Sequence, residues 1–303
     1  MAEAKVLVAA AGALQIAYLS DGDAGGWPVI LSHGFPYDPH AFDQVTQILV
    51  GEGARVIRPF ARGFGPTRFT SATEARNGQQ AARGADLLAL IDALDLEAPI
   101  LGGFDWGGNA SCVVAALWPE RIAGLVSYAG YDIIDLSAQA RPLDPKMERT
   151  LWYQHLFQTE RGRAGLAENR SALCKILWRD WSPNWAFDDE TFAQSASAFD
   201  NPDFVDVVIH CYRWMTGLES GDPALDALEA RLAGKPKITA PAVSLDGSKD
   251  PLKPGGTASH ASMFTGPYAH RTVTAGHNLP QEAPWAFAEA VLTVHGWSAP
   301  PQR

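Results

Sequence analysis

Through the first 130 residues, short apolar runs alternate with amphipathic stretches. WPVILSH (27–33) is a strand-length run bounded by turn residues. DPHAFDQVTQILVGEG (38–53) follows with apolar residues at helical spacing and closes on glycines. The alternation repeats: ARVIRPF (54–60) reads as a strand and NGQQAARGADLLALIDALDLE (77–97) as a helix. APILGGF (98–104) is a strand, NASCVVAALWPERI (109–122) a helix and AGLVSYAGY (123–131) a strand. This β-α-β-α order predicts a parallel, doubly wound sheet. The rhythm then breaks. From about 134 to 232 no buried strand is evident, and four Trp- and Phe-rich segments read as helices: 148–162, 167–181, 188–199 and 202–217. Strands resume at ITAPAVSLDG (238–247) and HRTVTAGH (270–277), and PWAFAEAVLTVHGW (284–297) is the last helix. The tail from 298 reads as frayed.

Composition narrows the function classes. A chain of 303 residues with 47% hydrophobic content can bury a large core. A net charge of −10 without a Lys/Arg cluster argues against a nucleic-acid partner. Cys112, Cys174 and Cys211 match neither a disulfide framework nor a zinc spacing, so they read as reduced core thiols of a cytoplasmic protein. Lys5 with VLVAAAGALQIAYL (6–19) has the outline of a secretory leader, but its Gly and β-branched content fits two strands joined by a turn. No apolar run is long enough for a transmembrane helix, so no membrane partner is expected.

Loops at the carboxyl ends of parallel strands converge on one edge. This sequence delivers His33-Gly34-Phe35-Pro36 there, then GGFDWGG (102–108), then Ser248-Lys249-Asp250-Pro251, then His277-Asn278-Leu279-Pro280. GGFDWGG has the outline of a nucleophile elbow, G-x-S-x-G, with Asp105 in place of the serine. A carboxylate is ill suited to acylation, because attack on an ester would give an anhydride. It suits attack at a saturated carbon, giving an alkyl ester that water then hydrolyses. A carboxylate is needed to orient His277, and Asp250 on the loop after the PAVSLDG strand is a candidate. Asp246 competes with it, and Asp132 and Asp135 are more distant alternatives.

The aspartate elbow, the order nucleophile–acid–histidine and the interrupting helical segment make the chain resemble the α/β-hydrolase family over essentially its full length. The resemblance implies an α/β-hydrolase fold, and the family pattern G-x-x-D, which fits Gly247 to Asp250, implies that Asp250 is the acid of the triad. Residues 1–133 and 233–303 would form the core domain and 134–232 an inserted helical cap. It also implies an oxyanion hole made by the N–H groups of Phe35 and Trp106, both also expected to contact substrate, and no metal or cofactor. Two subfamilies share the aspartate: epoxide hydrolases and haloalkane dehalogenases. An epoxide needs a proton donor for its alkoxide, and epoxide hydrolases use cap tyrosines for it. Trp152-Tyr153-Gln154 and His210-Cys211-Tyr212-Arg213 resemble those segments, which nominates Tyr153 and Tyr212. Haloalkane dehalogenases usually carry HGNP where this chain has HGFP (33–36). Fluoroacetate dehalogenases resemble D-R-G-x-R where Trp106 and Asn109 stand here.

The expected activity is therefore conversion of an epoxide to a diol. The Trp-rich cap suggests an apolar epoxide, with water as co-substrate. A haloalkane dehalogenase or a non-catalytic receptor on the same scaffold are the alternatives. Trp178, Trp181, Trp185 and Trp214 are expected in the cap core, some of them lining the pocket, and a Trp-exposing cap helix would allow a homodimer.

Overall fold

The amino-terminal apolar run folds as the hairpin its turn residues predict. Strand β1 (Leu7–Ala11) pairs antiparallel with β2 (Leu14–Asp21). The computed structural model describes residues 5–138 and 141–298, so the tail from 299 lies outside it. Strands β3 (Trp27–Ser32), β4 (Ala54–Pro59), β6 (Ile100–Gly103), β7 (Gly124–Tyr128), β8 (Ala242–Gly247) and β9 (Tyr268–Val273) form the parallel part of one sheet. Its order is β1-β2-β4-β3-β6-β7-β8-β9, with the two-residue β5 (Arg68–Phe69) paired to β2. Strands β6, β7 and β8 are buried along their whole length, as central strands of a two-sided parallel sheet should be.

The period of two sorts residues between two cores. Val29 and Leu31 of β3 face one side, with Val45 and Leu49 of α1 (Asp43–Gly51) and Phe287 and Val291 of α11 (Pro284–Ser298). Ile30 faces the other, with Leu87 and Leu90 of α2 (Gln80–Ala93) and Val114 of α3 (Trp106–Leu117). Strand β8 starts at Ala242, later than the run from 238 suggests. Pro241 has no N–H to give the ladder, and only an isolated bridge joins Ile238 to Phe264.

Between β7 and β8 the described residues hold helices and no strand. The segment 148–162 is not one helix. Leu151 leaves helical geometry (φ −90°, ψ 20°) and separates α4 (Pro145–Thr150) from α5 (Trp152–Phe157). Then follow α6 (Glu160–Trp181), α7 (Asp189–Ala196), α8 (Phe204–Met215) and α9 (Asp226–Ala233), the last not anticipated from the sequence. The tryptophans here turn inward. Trp178 and Trp181 are fully buried, and Trp178 stacks on Trp185. The exposed tryptophans, Trp285 and Trp297, lie on α11 instead. Among the described residues no helix is long and apolar enough to cross a membrane.

Trp178 ties this helical segment to the sheet. Its Nε1–H donates to the Pro36 carbonyl at 2.7 Å, and its ring stacks on Tyr37 at 5.0 Å. We expect Trp178→Ala to cost about 3–5 kcal/mol, read as a lower midpoint in chemical denaturation. An unchanged midpoint would show that the contact carries no stability.

Candidate active site

The turn from β6 into α3 is tight because its glycines leave room for backbone. A Cβ on Gly107 would collide with the Ser32 carbonyl, and one on Gly34 with Asp105 Oδ1. At the apex Asp105 adopts φ 53° and ψ −131°. A non-glycine residue in such a conformation stores strain of about 1–3 kcal/mol. The geometry places the carboxylate at the amino end of α3, where the helix dipole favours negative charge. Asp105 Oδ1 accepts from the Trp106 N–H at 2.7 Å and from the Phe35 N–H at 2.8 Å. Its Oδ2 lies 3.3 Å from His277 Nε2.

His277 arrives on the loop after β9, and its N–H is held by the Trp181 carbonyl at the end of α6. Its Nδ1 lies 2.9 Å from Asp250 Oδ2, so Nδ1–H is the donor and Nε2 is turned to Asp105. Asp250 also accepts from the Tyr128 hydroxyl at 2.7 Å and from the Leu252 N–H at 2.8 Å. Burial alone would lower the His277 pKa, but the Asp250 and Asp105 carboxylates outweigh it and raise it to about 10. Burial likewise opposes the Asp250 charge, yet His277 and Tyr128 hold its carboxyl below the usual range.

A cavity of about 340 Å³ opens over Asp105 and His277. Tyr153 of α5 and Tyr212 of α8 line it, their rings 5.3 Å apart and edge-on. Gln154 Nε2–H donates to the Tyr153 hydroxyl at 3.1 Å. Burial, with the Asp105 charge adding to it, raises both phenol pKa values. Trp106 lines the cavity. Phe35 does not: its ring is fully buried between Trp106 and Tyr212, so Phe35 lends the site its N–H rather than its side chain. Nor do the tryptophans of α6 and α8 reach the cavity wall.

The competing carboxylates go elsewhere. Asp246 is buried against Thr257 and the His270 ring, where it fixes the loop after Asp250. Asp135 pairs with Lys235. Asp132 lines the cavity, 3.5 Å from Lys253 Nζ. His33 orders its loop, with Nδ1–H given to the Gly34 carbonyl and Nε2 accepting from the Ala61 N–H. Burial lowers its pKa to about 4. Sequence reasoning missed Tyr128, Arg83 and Lys253. Tyr128 ends a strand at the catalytic edge, and Lys253 follows Asp250 by three positions, so both had a positional signal. Arg83 lies inside a helix and had none.

Known proteins match this architecture. Residues 28–169 fit the profile of the alpha/beta hydrolase fold. A solved structure from Klebsiella pneumoniae, provisionally named an epoxide hydrolase, is 45% identical, spans 96% of this chain and 97% of its own, and superposes with a TM-score of 0.93. Epoxide hydrolase B of Mycobacterium tuberculosis is 29% identical over 155 residues, which is 47% of this chain. The chain thus spans 43% of the length of that curated relative. A haloalkane dehalogenase from Psychrobacter cryohalolentis is 26% identical over 89% of this chain and 83% of its own. Sheet order, aspartate elbow and matching relatives agree: the chain belongs to the α/β-hydrolase family.

Proposed function

We propose that the protein is an epoxide hydrolase. The observation that carries this reading is one cavity lined by the Asp105 carboxylate, His277 and two tyrosines, Tyr153 and Tyr212, whose rings meet edge-on. In the proposed reaction Tyr153 and Tyr212 hydrogen-bond the epoxide oxygen. Asp105 Oδ2 attacks one ring carbon, the C–O bond breaks, and the alkoxide takes a tyrosine proton. Their raised pKa values keep both phenols protonated until that charge develops. Helices α4 to α9 would act as the cap that excludes water during ring opening.

The second step reuses the first geometry. The ester carbonyl is Oδ1, already held by the Phe35 and Trp106 N–H groups, where an oxyanion would form. Ester formation also removes the Asp105 charge that helps hold His277 as an imidazolium. The imidazolium can then return a proton to the tyrosinate and become the neutral base. Water attacks the ester carbonyl and gives its proton to His277. The diol leaves, and Asp105 and the imidazolium are restored. Asp250, held by Tyr128, keeps Nδ1 oriented throughout.

Haloalkane dehalogenation is the second reading, favoured by the long match to the Psychrobacter protein. It would use Asp105, His277 and Asp250 but needs no proton from Tyr153 or Tyr212. Three tests separate the roles. We expect Asp105→Asn to abolish ring opening while the fold is retained; sustained turnover without deamidation excludes the nucleophile. His277→Gln should accumulate an alkyl-enzyme of substrate plus protein mass, and a stalled enzyme without that adduct contradicts the base. Tyr153→Phe and Tyr212→Phe should each slow diol formation by about 10²–10⁴-fold; unchanged rates at both, with halide released from a bromoalkane, support the dehalogenase instead.

The charge logic has its own test. Because the folded His277 pKa lies above its ordinary 6.5, its contribution to stability is complete below that pH and is lost as pH rises through about 10. Ring ¹⁵N shifts should show an imidazolium at pH 8 in the resting protein and a lower pKa in Asp105→Asn. A neutral ring at pH 8 in the wild type would overturn the proposed proton route.

A further inference from the structure

The chain carries a net charge of −10, yet its cavity is locally basic. Apart from Asp105 and His277, the charged residues lining it are Arg83, Arg141, Lys253 and Asp132, three cations to one carboxylate. Arg83 is 5% exposed. It donates to Asn109 Oδ1 at 2.8 Å and to Cys211 Sγ at 3.1 Å, and its guanidinium lies over the Trp106 ring at 5.1 Å. Among the described residues no carboxylate is within ion-pair distance of it, and its Nε–H has no partner. Burying a guanidinium without a counter-ion is costly, and the cost is tolerated where the positive potential has a use.

Lys253 is an accessible member of the set beside Asp250. It follows Asp250 on the same loop, so the element that fixes the catalytic acid also fixes the amine. Its Nζ reaches Asp132 at 3.5 Å, a long contact, and its side chain is 40% exposed. The pair borders the catalytic cavity and also a second one of about 430 Å³, so a group bound at Lys253 has space beyond it. Arg141 is exposed and lines the same cavity. Leu151, Met215 and Ile134 supply apolar wall.

We propose that the substrate is an epoxide bearing a carboxylate, which Lys253 binds in place of Asp132 while Arg141 and the buried Arg83 supply attractive potential. This rests on the epoxide hydrolase reading and replaces the wholly apolar substrate expected from the aromatic cap. Asp132 acts as the internal competitor, so Lys253 and Asp132 have opposite roles in selecting the acid. A merely structural ion pair would make both substitutions act in the same direction.

The test measures binding independently of turnover. A 3-aryl-2,3-dihydroxypropanoate, the diol such an epoxide would give, and its primary amide are titrated calorimetrically into wild type, Lys253→Met and Asp132→Asn. Wild type should favour the acid. Lys253→Met should cut that preference about tenfold, the size of one charge-assisted hydrogen bond. Asp132→Asn should raise it. Equal affinity for acid and amide in the wild type, no binding of the acid, or same-direction shifts in both variants overturns the proposal. Diol formation from the matching epoxides keeps the two ideas apart. Opening of a neutral epoxide without acid preference sinks the carboxylate site alone. Acid binding through Lys253 with no epoxide opened sinks the enzymatic reading and leaves the carboxylate site standing.

Discussion

The site depends on how one carboxylate is held. Asp105 Oδ1 is fixed by two backbone N–H groups from different elements, the first residue of α3 and the loop after β3. That fixation leaves Oδ2 directed towards His277 and the cavity. It also requires the left-handed backbone at Asp105 and the absence of side chains at Gly34 and Gly107. Neither N–H pair nor glycine packing could be kept if β3 and β6 were not adjacent and parallel in their observed register, with Ser32 beside Gly103. The order of the sheet is thus coupled to the orientation of a single side chain.

From that constraint the two halves of the proposed reaction share one set of groups. The N–H pair that holds an anionic oxygen at rest would hold the ester carbonyl oxygen in the intermediate. In that reaction the Asp105 charge that raises the His277 pKa is the charge alkylation would remove, so His277 would become a base only after the nucleophile had been used. The helices between β7 and β8 contribute at both ends. They bring Tyr153 and Tyr212 to the cavity, and the last residue of α6 holds the His277 backbone.

Much of this was legible in the sequence, where local chemistry dictates local structure. GGFDWGG could be recognised because close backbone packing demands glycine. The hairpin at 7–21 could be recognised from its turn, and the loops that bring Asp250 and His277 together from their place after strands. Other features depend on contacts that no local pattern encodes. Tyr128 meets Asp250 across 122 positions. Arg83 reads as one residue of an amphipathic helix until its contacts with Trp106, Asn109 and Cys211 are seen. The break at Leu151 separates two stretches that both have helical composition, so propensity gives no warning of it. Phe35 shows the converse: its position was legible, but the direction of its ring is set by the aromatic residues that enclose it.

The central claim is that Asp105 becomes an ester whose carbonyl, not the substrate carbon, is attacked by water. A single turnover in oxygen-18 water, with enzyme in excess over a carboxylated aryl epoxide, tests it directly. The account predicts that heavy oxygen appears in the peptide containing Asp105 while the diol from that turnover stays unlabelled. Label in the diol and none in Asp105 would mean that water opens the ring itself, and would contradict the account.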